Sequence, residues 1–526
     1  MTIADLFVTA LADAGVRALF GVPGGGGNLD LLEAARRRGL RFVLSQTETA
    51  GAIMASAQAE LTGAPGACLC TLGPGVASIA NGAAHASLDR VPLIIVSDAR
   101  GDDQAAFEHQ RVDHGALLGP LVKSSCVLQA DGAAEAIASA IATALSAPCG
   151  PVHLDCAPGV LASPAIQLHR PASPPAPPPA ALSEAVAALL RGSRRPIVIA
   201  GLGARSATSA IRRLCALHSI PALVTYKGKG VIADDDPSFA GVFTLGEVER
   251  AIVGQADLIL ALGLDPVELL PRIWPYDAPV IAANDWPSTA AQVPAHATLA
   301  GPLAASVAAL DAGLTQPAAW RAGDIVNARQ RQRDAVCVPV SGLSPADAVD
   351  VLAAAGAASL VTIDAGAHMF PATTLWAVRE PGRLLISNGL ATMGYALPAA
   401  IGAALLAPDE PVVALTGDGG LLMCLGELHT VVRERLPVVV VVFADEHLSL
   451  IAIKQDRRAL PRTGVGTGAV DWCRIGEAMG FSAERATDAR RLERAVASAL
   501  ARRAPTLIEV RVDPGGYGQM IANIRG

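Results

Sequence analysis

The clearest indication of the type of fold is Val412-Val-Ala-Leu-Thr-Gly-Asp-Gly-Gly420, an apolar run that passes into a glycine-rich turn. Such a run is typical of a strand buried on both faces of a parallel sheet. The glycines let the backbone approach a ligand closely, and a helix predicted to begin here offers free N–H groups to an anion. Asp418 is placed to hold a metal ion that bridges that anion. Taken alone, a Gly-Asp-Gly turn is more often only a strand-to-helix connection.

A second run of the same kind follows along the chain. Val438 to Phe443 is entirely apolar and ends in Ala444-Asp-Glu-His447. If both strands are neighbours in one parallel sheet, Asp418 and Asp445 lie at the same sheet edge. Mg²⁺ usually takes one or two carboxylates and completes its shell with phosphate and water. The two runs together therefore predict a magnesium site that binds a diphosphate.

The remainder of the chain repeats this alternation of short apolar strands with Ala- and Leu-rich helices. Strands separated by helices predict parallel sheets covered on both faces, so the fold class is α/β with three doubly wound parallel-sheet domains. A proline-rich stretch at 171–180 excludes regular structure and predicts an extended linker. The predicted division is 1–168, a linker at 169–182, 183–335 and 336–526.

Composition excludes several classes of protein. Hydrophobic residues make up 52% of the chain and charged residues 17%, which is typical of a globular protein. The net charge of −7 and the lack of a basic stripe exclude nucleic acid as a main partner. No apolar run is long enough to span a membrane, and the N-terminus lacks the features of a signal peptide. Nine scattered cysteines without a C-x-x-C pair indicate reduced thiols and a cytoplasmic protein.

The turn at 417–420, followed by Ala444-Asp445, resembles the signature of thiamine diphosphate-dependent enzymes. The likeness to the acetolactate synthase and benzoylformate decarboxylase-like family extends along the chain. The family implies an N-terminal pyrimidine-binding domain, a middle domain and a C-terminal diphosphate-binding domain, with thiamine diphosphate and Mg²⁺ as cofactors. The other matching segments are Gly21 to Gly25, Thr71 to Gly75, Asn81-Gly82, Asp113, Lys123 and Gly389 to Ala400.

The resemblance implies a role for Glu48, which follows a predicted strand and opens a helix. It corresponds to the glutamate that contacts N1′ of the aminopyrimidine and promotes removal of the C2 proton. Asp418, Asp445 and the main-chain carbonyl of His447 correspond to the metal ligands. The other cofactor-binding residues implied by the family are Gly24, Gly25, Pro74, Asn81, Thr392, Met393, Gly417, Gly419, Gly420, Leu448 and Ser449.

The chain departs from the family at Ala444, where an asparagine is usual, so one hydrogen-bonding amide near the diphosphate is missing. For the substrate side, Gln110 corresponds to a family glutamine near the 2-oxo acid. His109 and His114 are catalytic candidates because histidine titrates near neutral pH. Lys227-Gly-Lys229 resembles a segment near a nucleotide or substrate region.

The expected activity is cleavage of a C–C bond next to a carbonyl, as decarboxylation of a 2-oxo acid followed by carboligation. The alternatives are a simple 2-oxo acid decarboxylase, a 2-hydroxyacyl-CoA lyase and a non-catalytic paralogue. FAD occurs in some relatives, but Ala261 to Val267 departs from the expected pattern and does not favour it. The family also implies active sites at a subunit interface, in a homodimer at least and commonly in a tetramer.

Overall fold

A computed structural model describes residues 1–100, 109–165, 182–287 and 292–526. In this part of the chain the strands form three six-stranded sheets in which every neighbouring pair is parallel. The predicted class, three α/β units with doubly wound parallel sheets, is confirmed. The proline-rich stretch at 171–180 lies outside the described residues, so the linker and the domain boundaries stay predictions.

The N-terminal sheet has the strand order β2-β1-β3-β4-β6-β5. Its inner strands are buried throughout, whereas the edge strand β5 is mostly exposed. The strands are β1 Ala18–Val22, β2 Arg41–Leu44, β3 Gly66–Cys70, β4 Leu93–Asp98, β5 Ser124–Leu128 and β6 Pro151–Cys156, and the helices are α1 Ile3–Asp13, α2 Gly27–Arg38, α3 Glu48–Thr62, α4 Pro74–Leu88, α5 His114–Leu118 and α6 Ala133–Leu145.

The middle sheet has the order β12-β11-β10-β7-β8-β9, so the strand order reverses between β7 and β10. Short 3₁₀ helices follow both strands at this point, at Leu202–Ala207 and Pro266–Glu268. The strands are β7 Pro196–Ala200, β8 Ala222–Val224, β9 Phe239–Val242, β10 Leu258–Leu262, β11 Val280–Asn284 and β12 Ala295–Ala300, and the helices are α7 Glu184–Gly192, α8 Thr208–His218, α9 Arg250–Val253, α10 Leu303–Gly313 and α11 Ala322–Val336.

The C-terminal sheet has the order β14-β13-β15-β16-β18-β17, which makes β15 and β16 neighbours at its centre. The strands are β13 Leu360–Ile363, β14 Leu384–Ile386, β15 Val412–Gly417, β16 Val438–Ala444, β17 Ser482–Ala486 and β18 Thr506–Arg511, and the helices are α12 Pro345–Ala355, α13 Met369–Leu375, α14 Ala396–Ala404, α15 Asp418–Met423, α16 Glu427–Arg433, α17 Ser449–Arg457, α18 Trp472–Met479, α19 Ala489–Arg502 and α20 Tyr517–Arg525.

Helices α3 and α14 join the N-terminal and C-terminal units. Both are rich in alanine and almost wholly buried, and they belong to one hydrophobic core that spans the two sheets. A β-carbon added at Gly402 would lie 2.3 Å from the carbonyl oxygen of Met54, so glycine permits the close approach of the helices. The Gln58 side chain donates to the Gly402 carbonyl at 3.1 Å. The loops before α3 and after β15 are thereby held on one rigid support.

The apolar runs that were interpreted as strands are all present as strands. The strands that lack such a run in the sequence are mainly short or polar. Strands β5, β12 and β17 lie at sheet edges, and at least one face of each strand is exposed to solvent. Over the described ranges, none of the helices combines the length and apolar character needed to cross a bilayer.

Candidate active site

Asp418 and Asp445 lie at the carboxyl ends of the neighbouring strands β15 and β16, where Gly417 pairs with Phe443. Asp418 is buried, and its carboxylate accepts hydrogen bonds from the amides of Gly419 at 2.7 Å and Glu446 at 2.6 Å. Asp445 accepts from the Ser449 hydroxyl at 2.6 Å and the His447 amide at 3.0 Å. The turn after each strand thus folds around its own carboxylate and holds it at the sheet edge.

The charges of these two groups make a cation favourable. Burial, followed by the nearby charge of Asp418, raises the pKa of Asp445 to about 6, and burial also raises the pKa of Asp418. Within the described residues neither carboxylate forms an ion pair with lysine or arginine. Two carboxylates with hard oxygen donors and no cationic side chain are a donor set that fits Mg²⁺. His447 is exposed and lies in the turn that follows Asp445. Ala444 is buried at the end of β16.

Met393 and Leu448 meet above Gly419, the second residue of α15. A β-carbon at Gly419 would lie 3.3 Å from Met393 Cε and 2.6 Å from Leu448 Cδ2. Thr392, beside Met393, donates to Asn81 of the N-terminal unit at 3.0 Å. The structure therefore gathers predicted residues from three separate segments around the Gly-Asp-Gly turn.

Two buried residues on the loop after β13 were missed in the sequence. Asp364 accepts hydrogen bonds from the amides of Gly394 at 3.1 Å and Tyr395 at 3.2 Å and from the Thr416 hydroxyl at 2.9 Å. Burial raises its pKa to about 6. Asp364 therefore ties the Met393 turn to the end of β15.

The other missed residue is His368, whose ring stacks on Phe443 with centroids 5.2 Å apart. Burial lowers its pKa to about 4, so the ring is neutral near pH 7. Its Nε2 is buried without a hydrogen-bond partner among the described residues, and a β-carbon at Gly417 would lie 3.4 Å from its Cε1. A polar atom of this kind beside the Asp418 turn suits a ligand. The signal that could have found it is its position shortly after β13, an apolar run that is buried throughout.

Glu48 is the first residue of α3 and is half-buried. Thr47 caps the helix by accepting a hydrogen bond from the Ala50 amide at 3.1 Å. The Glu48 carboxylate lies against the start of α4, where a β-carbon at Gly75 would be 3.2 Å from Glu48 Oε1. Its neighbours Thr47 and Thr49 line a cavity of about 320 Å³ together with Asn81, Thr392 and Met393.

No hydrogen bond or ion pair joins Glu48 to Asp418 or Asp445 in the described part of this chain. Two apolar side chains of α15, the helix that begins at Asp418, are exposed, with Met423 61% and Leu422 41% accessible. The geometry therefore divides the predicted residues into two groups, one at Glu48 and one at Asp418.

His114 links the two loops on the substrate side. Its Nε2 accepts a hydrogen bond from the Gly73 amide at 3.0 Å, so its proton resides on Nδ1, which donates to Asp155 at 2.9 Å. Gly73 has φ +61°, and a β-carbon there would lie 2.4 Å from the Gln110 carbonyl oxygen. Both ring nitrogens of His114 are thus already engaged, and the contacts suit a residue that orders the loops more than one that transfers protons.

A cavity of about 550 Å³ lies beside this loop, lined by residues that include Gln110, His114 and Asp155. The Asp155 carboxylate also accepts from the Ser97 hydroxyl at 2.7 Å. Burial lowers the pKa of the neighbouring His153 to about 4, which leaves that ring neutral. The cavity is a candidate entrance for a polar substrate.

The remaining predicted residues are more scattered. Gly24 is buried, and a β-carbon there would meet Thr71 Oγ1 at 2.6 Å and Asp98 Oδ2 at 2.5 Å. Gly25, Pro74 and His109 are exposed, and open space surrounds Gly25. The His109 carbonyl accepts from Arg100 at 2.7 Å, which leaves its imidazole as the group presented to solvent.

Lys227 and Lys229 are buried and form ion pairs within the chain. Lys227 is 1% exposed, and its ammonium lies 2.7 Å from Glu60 and 3.9 Å from Asp89 of the N-terminal unit. Lys229 is equally buried and pairs with Asp234. Both ammonium groups serve internal ion pairs, and the resemblance of this segment to a nucleotide or substrate region stays a prediction.

Replacing Lys227 by methionine is expected to lower the free energy of unfolding by about 3–5 kcal/mol, because the buried Glu60 carboxylate loses its nearest cation and keeps only Arg205 at 3.4 Å. Thermal unfolding at a fixed scan rate measures the effect. Lys454→Met, at an exposed lysine, is the matched control and should leave the midpoint unchanged. Equal midpoints for the two variants would contradict the assigned role.

In a second cluster of potential metal ligands, the negative charges are already paired with an arginine. Asp471, Cys473 and Glu509 place one potential ligand atom each within 4.8 Å of the others. Arg485 lies 2.8 Å from Asp471 and 3.0 Å from Glu509, so the negative charges are compensated. Asp418 and Asp445 are therefore the better candidates for a metal among the described residues.

Comparison with known proteins assigns each unit. Residues 1–117 match the N-terminal TPP binding domain of thiamine pyrophosphate enzymes, 183–310 match their central domain and 364–510 match their C-terminal TPP binding domain. The chain is 29% identical to an acetolactate synthase of Bacillus subtilis, over 97% of this chain and 93% of that protein. It is 30% identical to a probable 2-ketoarginine decarboxylase of Pseudomonas aeruginosa, over 97% and 94%. Acetolactate synthase isozyme 2 of Escherichia coli, large subunit, is 29% identical over 97% and 95%.

Proposed function

Because this chain belongs to the thiamine pyrophosphate enzymes, we propose that it uses thiamine diphosphate and Mg²⁺ to decarboxylate a 2-oxo acid and to join the remaining acyl fragment to a second carbonyl compound. The observation that carries the proposal is the pair Asp418 and Asp445 at adjacent strand ends, beside His368 Nε2, which has no hydrogen-bond partner in the described part of the chain. The setting proposed for this activity is the reducing cytoplasm.

In this proposal Asp418, Asp445 and the main-chain carbonyl of His447 would hold Mg²⁺, and the metal with the His368 imidazole would hold the diphosphate. Met393 and Leu448, which meet at Gly419, would pack against the cofactor. Bound thiamine diphosphate supplies the nucleophilic carbon and accepts the electron pair released when CO₂ leaves. Asp364 keeps the Met393 turn in place through its two backbone hydrogen bonds.

Glu48 is proposed to exchange a proton with the aminopyrimidine ring. Its half-buried carboxylate lies against α4, where water is partly excluded and proton transfer to a ring nitrogen is favoured. His114 and Gly73 hold the neighbouring loops, so that Gln110 borders the substrate cavity. The two products are CO₂ and a 2-hydroxy ketone formed from the acyl fragment and the acceptor carbonyl.

The proposed active site is shared between two chains. Glu48 and Asp418 have no direct link in one chain, and the accessible Leu422 and Met423 provide apolar surface beside the metal-site turn. A homodimer would place Glu48 of each chain opposite Asp418 of its partner, which gives two sites, and a tetramer would contain two such dimers. A sedimentation experiment that finds a monomer with full activity would refute this arrangement.

The proposal does not include FAD. Where the middle sheet reverses its strand order, the Glu268 carboxylate accepts hydrogen bonds from the amides of Leu202 at 2.9 Å and Asp265 at 3.2 Å. A β-carbon at Gly201 would lie 2.5 Å from the Gly263 carbonyl oxygen, so the backbones that follow β7 and β10 approach each other closely. Nucleotide phosphates usually bind at such a point. We expect the purified protein to lack flavin absorbance in the visible range.

The function is tested with purified protein, thiamine diphosphate, Mg²⁺ and a panel of 2-oxo acids, by measuring CO₂ release and the products. Acetolactate from pyruvate alone would support carboligation. Release of CO₂ that does not depend on the cofactor, or none from any 2-oxo acid, would overturn the proposal.

A second candidate is simple decarboxylation, in which the acyl fragment takes a proton and leaves as an aldehyde. The similarity to a probable 2-ketoarginine decarboxylase and the open space around Gly25 favour it. The same assay separates the two, because free aldehyde without any ligated product indicates the decarboxylase.

A further inference from the structure

The loop that precedes α3 is docked on α16 of the C-terminal unit through one buried carboxylate. Glu427 is 1% exposed, and its Oε1 accepts hydrogen bonds from the amides of Gln46 at 2.7 Å and Thr47 at 3.3 Å. Its Oε2 accepts from the Thr430 hydroxyl at 2.7 Å. A single side chain from one unit thus fixes two consecutive peptide groups of another.

Those two peptide groups immediately precede Glu48. Thr47 is also the cap of α3, so the position of its backbone sets where the helix begins. The approach is close, because a β-carbon at Gly426 would lie 3.2 Å from Gln46 Cβ. Arg433, at the end of α16, donates to the Leu44 carbonyl on the other side of the loop. The whole entry to α3 is therefore shaped by α16.

Glu427 is also close in sequence to the metal-site turn. Asp418 begins α15, and Glu427 begins the next helix, with only 424–426 between the two helices. This stretch of chain accordingly carries a proposed metal ligand at one end and the anchor of the Glu48 loop at the other.

We propose that Glu427 is a positioning residue that orients Glu48 toward the cofactor by holding the Gln46 and Thr47 amides. The inference rests on the proposed function, because it gives Glu48 a task that requires accurate placement. Glu427 itself does not touch the reacting atoms. Without the Glu427 carboxylate the Gln46 and Thr47 amides would lose their acceptor and the loop could shift, and a displacement of about 1 Å at a catalytic group can cost about 10²-fold in rate.

Two readouts test this in the full-length protein. Hydrogen–deuterium exchange of the cofactor-free protein reports the amides of residues 44–50. Exchange of the C2 proton of bound thiamine diphosphate in D₂O, followed by acid quenching and NMR, reports the step assigned to Glu48. For Glu427→Ala we expect faster amide exchange in this segment and C2 exchange slowed about 10²-fold. Glu427→Gln keeps an oxygen acceptor and should restore both toward the unmodified protein.

Glu249→Ala is the matched control. Glu249 is likewise 1% exposed and accepts from two backbone amides, Thr244 at 2.8 Å and Gly246 at 2.7 Å, as well as the Thr244 hydroxyl. It lies in the middle unit, so its loss should lower stability without affecting residues 44–50 or the C2 exchange rate.

The proposal is overturned if Glu427→Ala leaves C2 exchange unchanged, or if Glu249→Ala slows it equally. Should Glu427→Ala not fold, Thr430→Val decides, because it removes the hydroxyl that orients Glu427 and should slow C2 exchange in the same direction. Unchanged C2 exchange in Thr430→Val would then refute the idea. The Glu48→Ala variant distinguishes failure of the role proposed for Glu427 from failure of the proposed function. Normal C2 exchange in that variant would refute the proposed role of Glu48 itself.

Discussion

Replacing Glu48 by alanine is expected to lower turnover by about 10²–10⁴-fold, the range that general acid–base catalysis usually contributes. Thiamine diphosphate should still bind, because the groups proposed to hold its diphosphate belong to the Asp418 turn. Steady-state CO₂ release at saturating cofactor and calorimetric titration of the cofactor measure the two quantities separately.

The location of Glu48 makes this variant informative. The side chain opens α3 beside Gly75 and is not part of any ion pair among the described residues, so its removal leaves no buried charge without a partner. Glu33→Ala, at an exposed glutamate of α2, is the control and should keep full turnover. Near-normal turnover of Glu48→Ala would remove Glu48 from the mechanism.

Replacing Asp418 by asparagine should weaken magnesium-dependent binding of thiamine diphosphate at least about 100-fold, since even outer-shell changes at metal sites cost 10–100-fold. Asparagine keeps the size of the side chain and can still accept from the Glu446 amide, so the turn should remain folded. The loss then reflects the missing charge. Titration of the cofactor with and without Mg²⁺ measures it.

Asp471→Asn is the matched control for this experiment. Asp471 belongs to the other acidic cluster and pairs with Arg485, so the change should leave cofactor affinity as it was. If the unmodified protein bound thiamine diphosphate equally well without the metal, the assignment of Asp418 and Asp445 would be wrong.

The central strands could be predicted from the sequence because burial on both faces leaves uninterrupted apolar runs. β16 is the extreme case, with every residue from Val438 to Ala444 buried. Edge strands lack this signal, since one side meets solvent and polar residues are tolerated there. β17, Ser482–Ala486, contains a glutamate and an arginine, and β12 is largely exposed, so neither differs from a loop in composition.

The candidate site divides in a similar way. Asp418 and Asp445 could be placed together because adjacent parallel strands bring their carboxyl ends to one edge. The resemblance to a known family indicated Glu48 and Met393. Asp364, His368 and Glu427 could not be predicted, because their contacts depend on how loops from distant segments pack. A single sequence carries no information on that packing.

His114 illustrates the limit for residue roles. The sequence suggested a proton-transferring group from the residue type alone. In the structure, Nε2 of His114 accepts from the Gly73 amide and Nδ1 donates to Asp155. These two neighbours determine the tautomer and the orientation of the ring. Which nitrogen carries the proton is therefore decided by the packing of the loops.

The position of β16 has a consequence for synthesis of the chain on the ribosome. Its neighbours are β15, made shortly before, and β18, which comes from Thr506–Arg511. One edge of a strand made almost entirely of valine therefore stays open until nearly all of the chain has emerged. Such an edge can pair with another nascent chain. The charged pair Asp445-Glu446, directly after the strand, limits how far that pairing can extend.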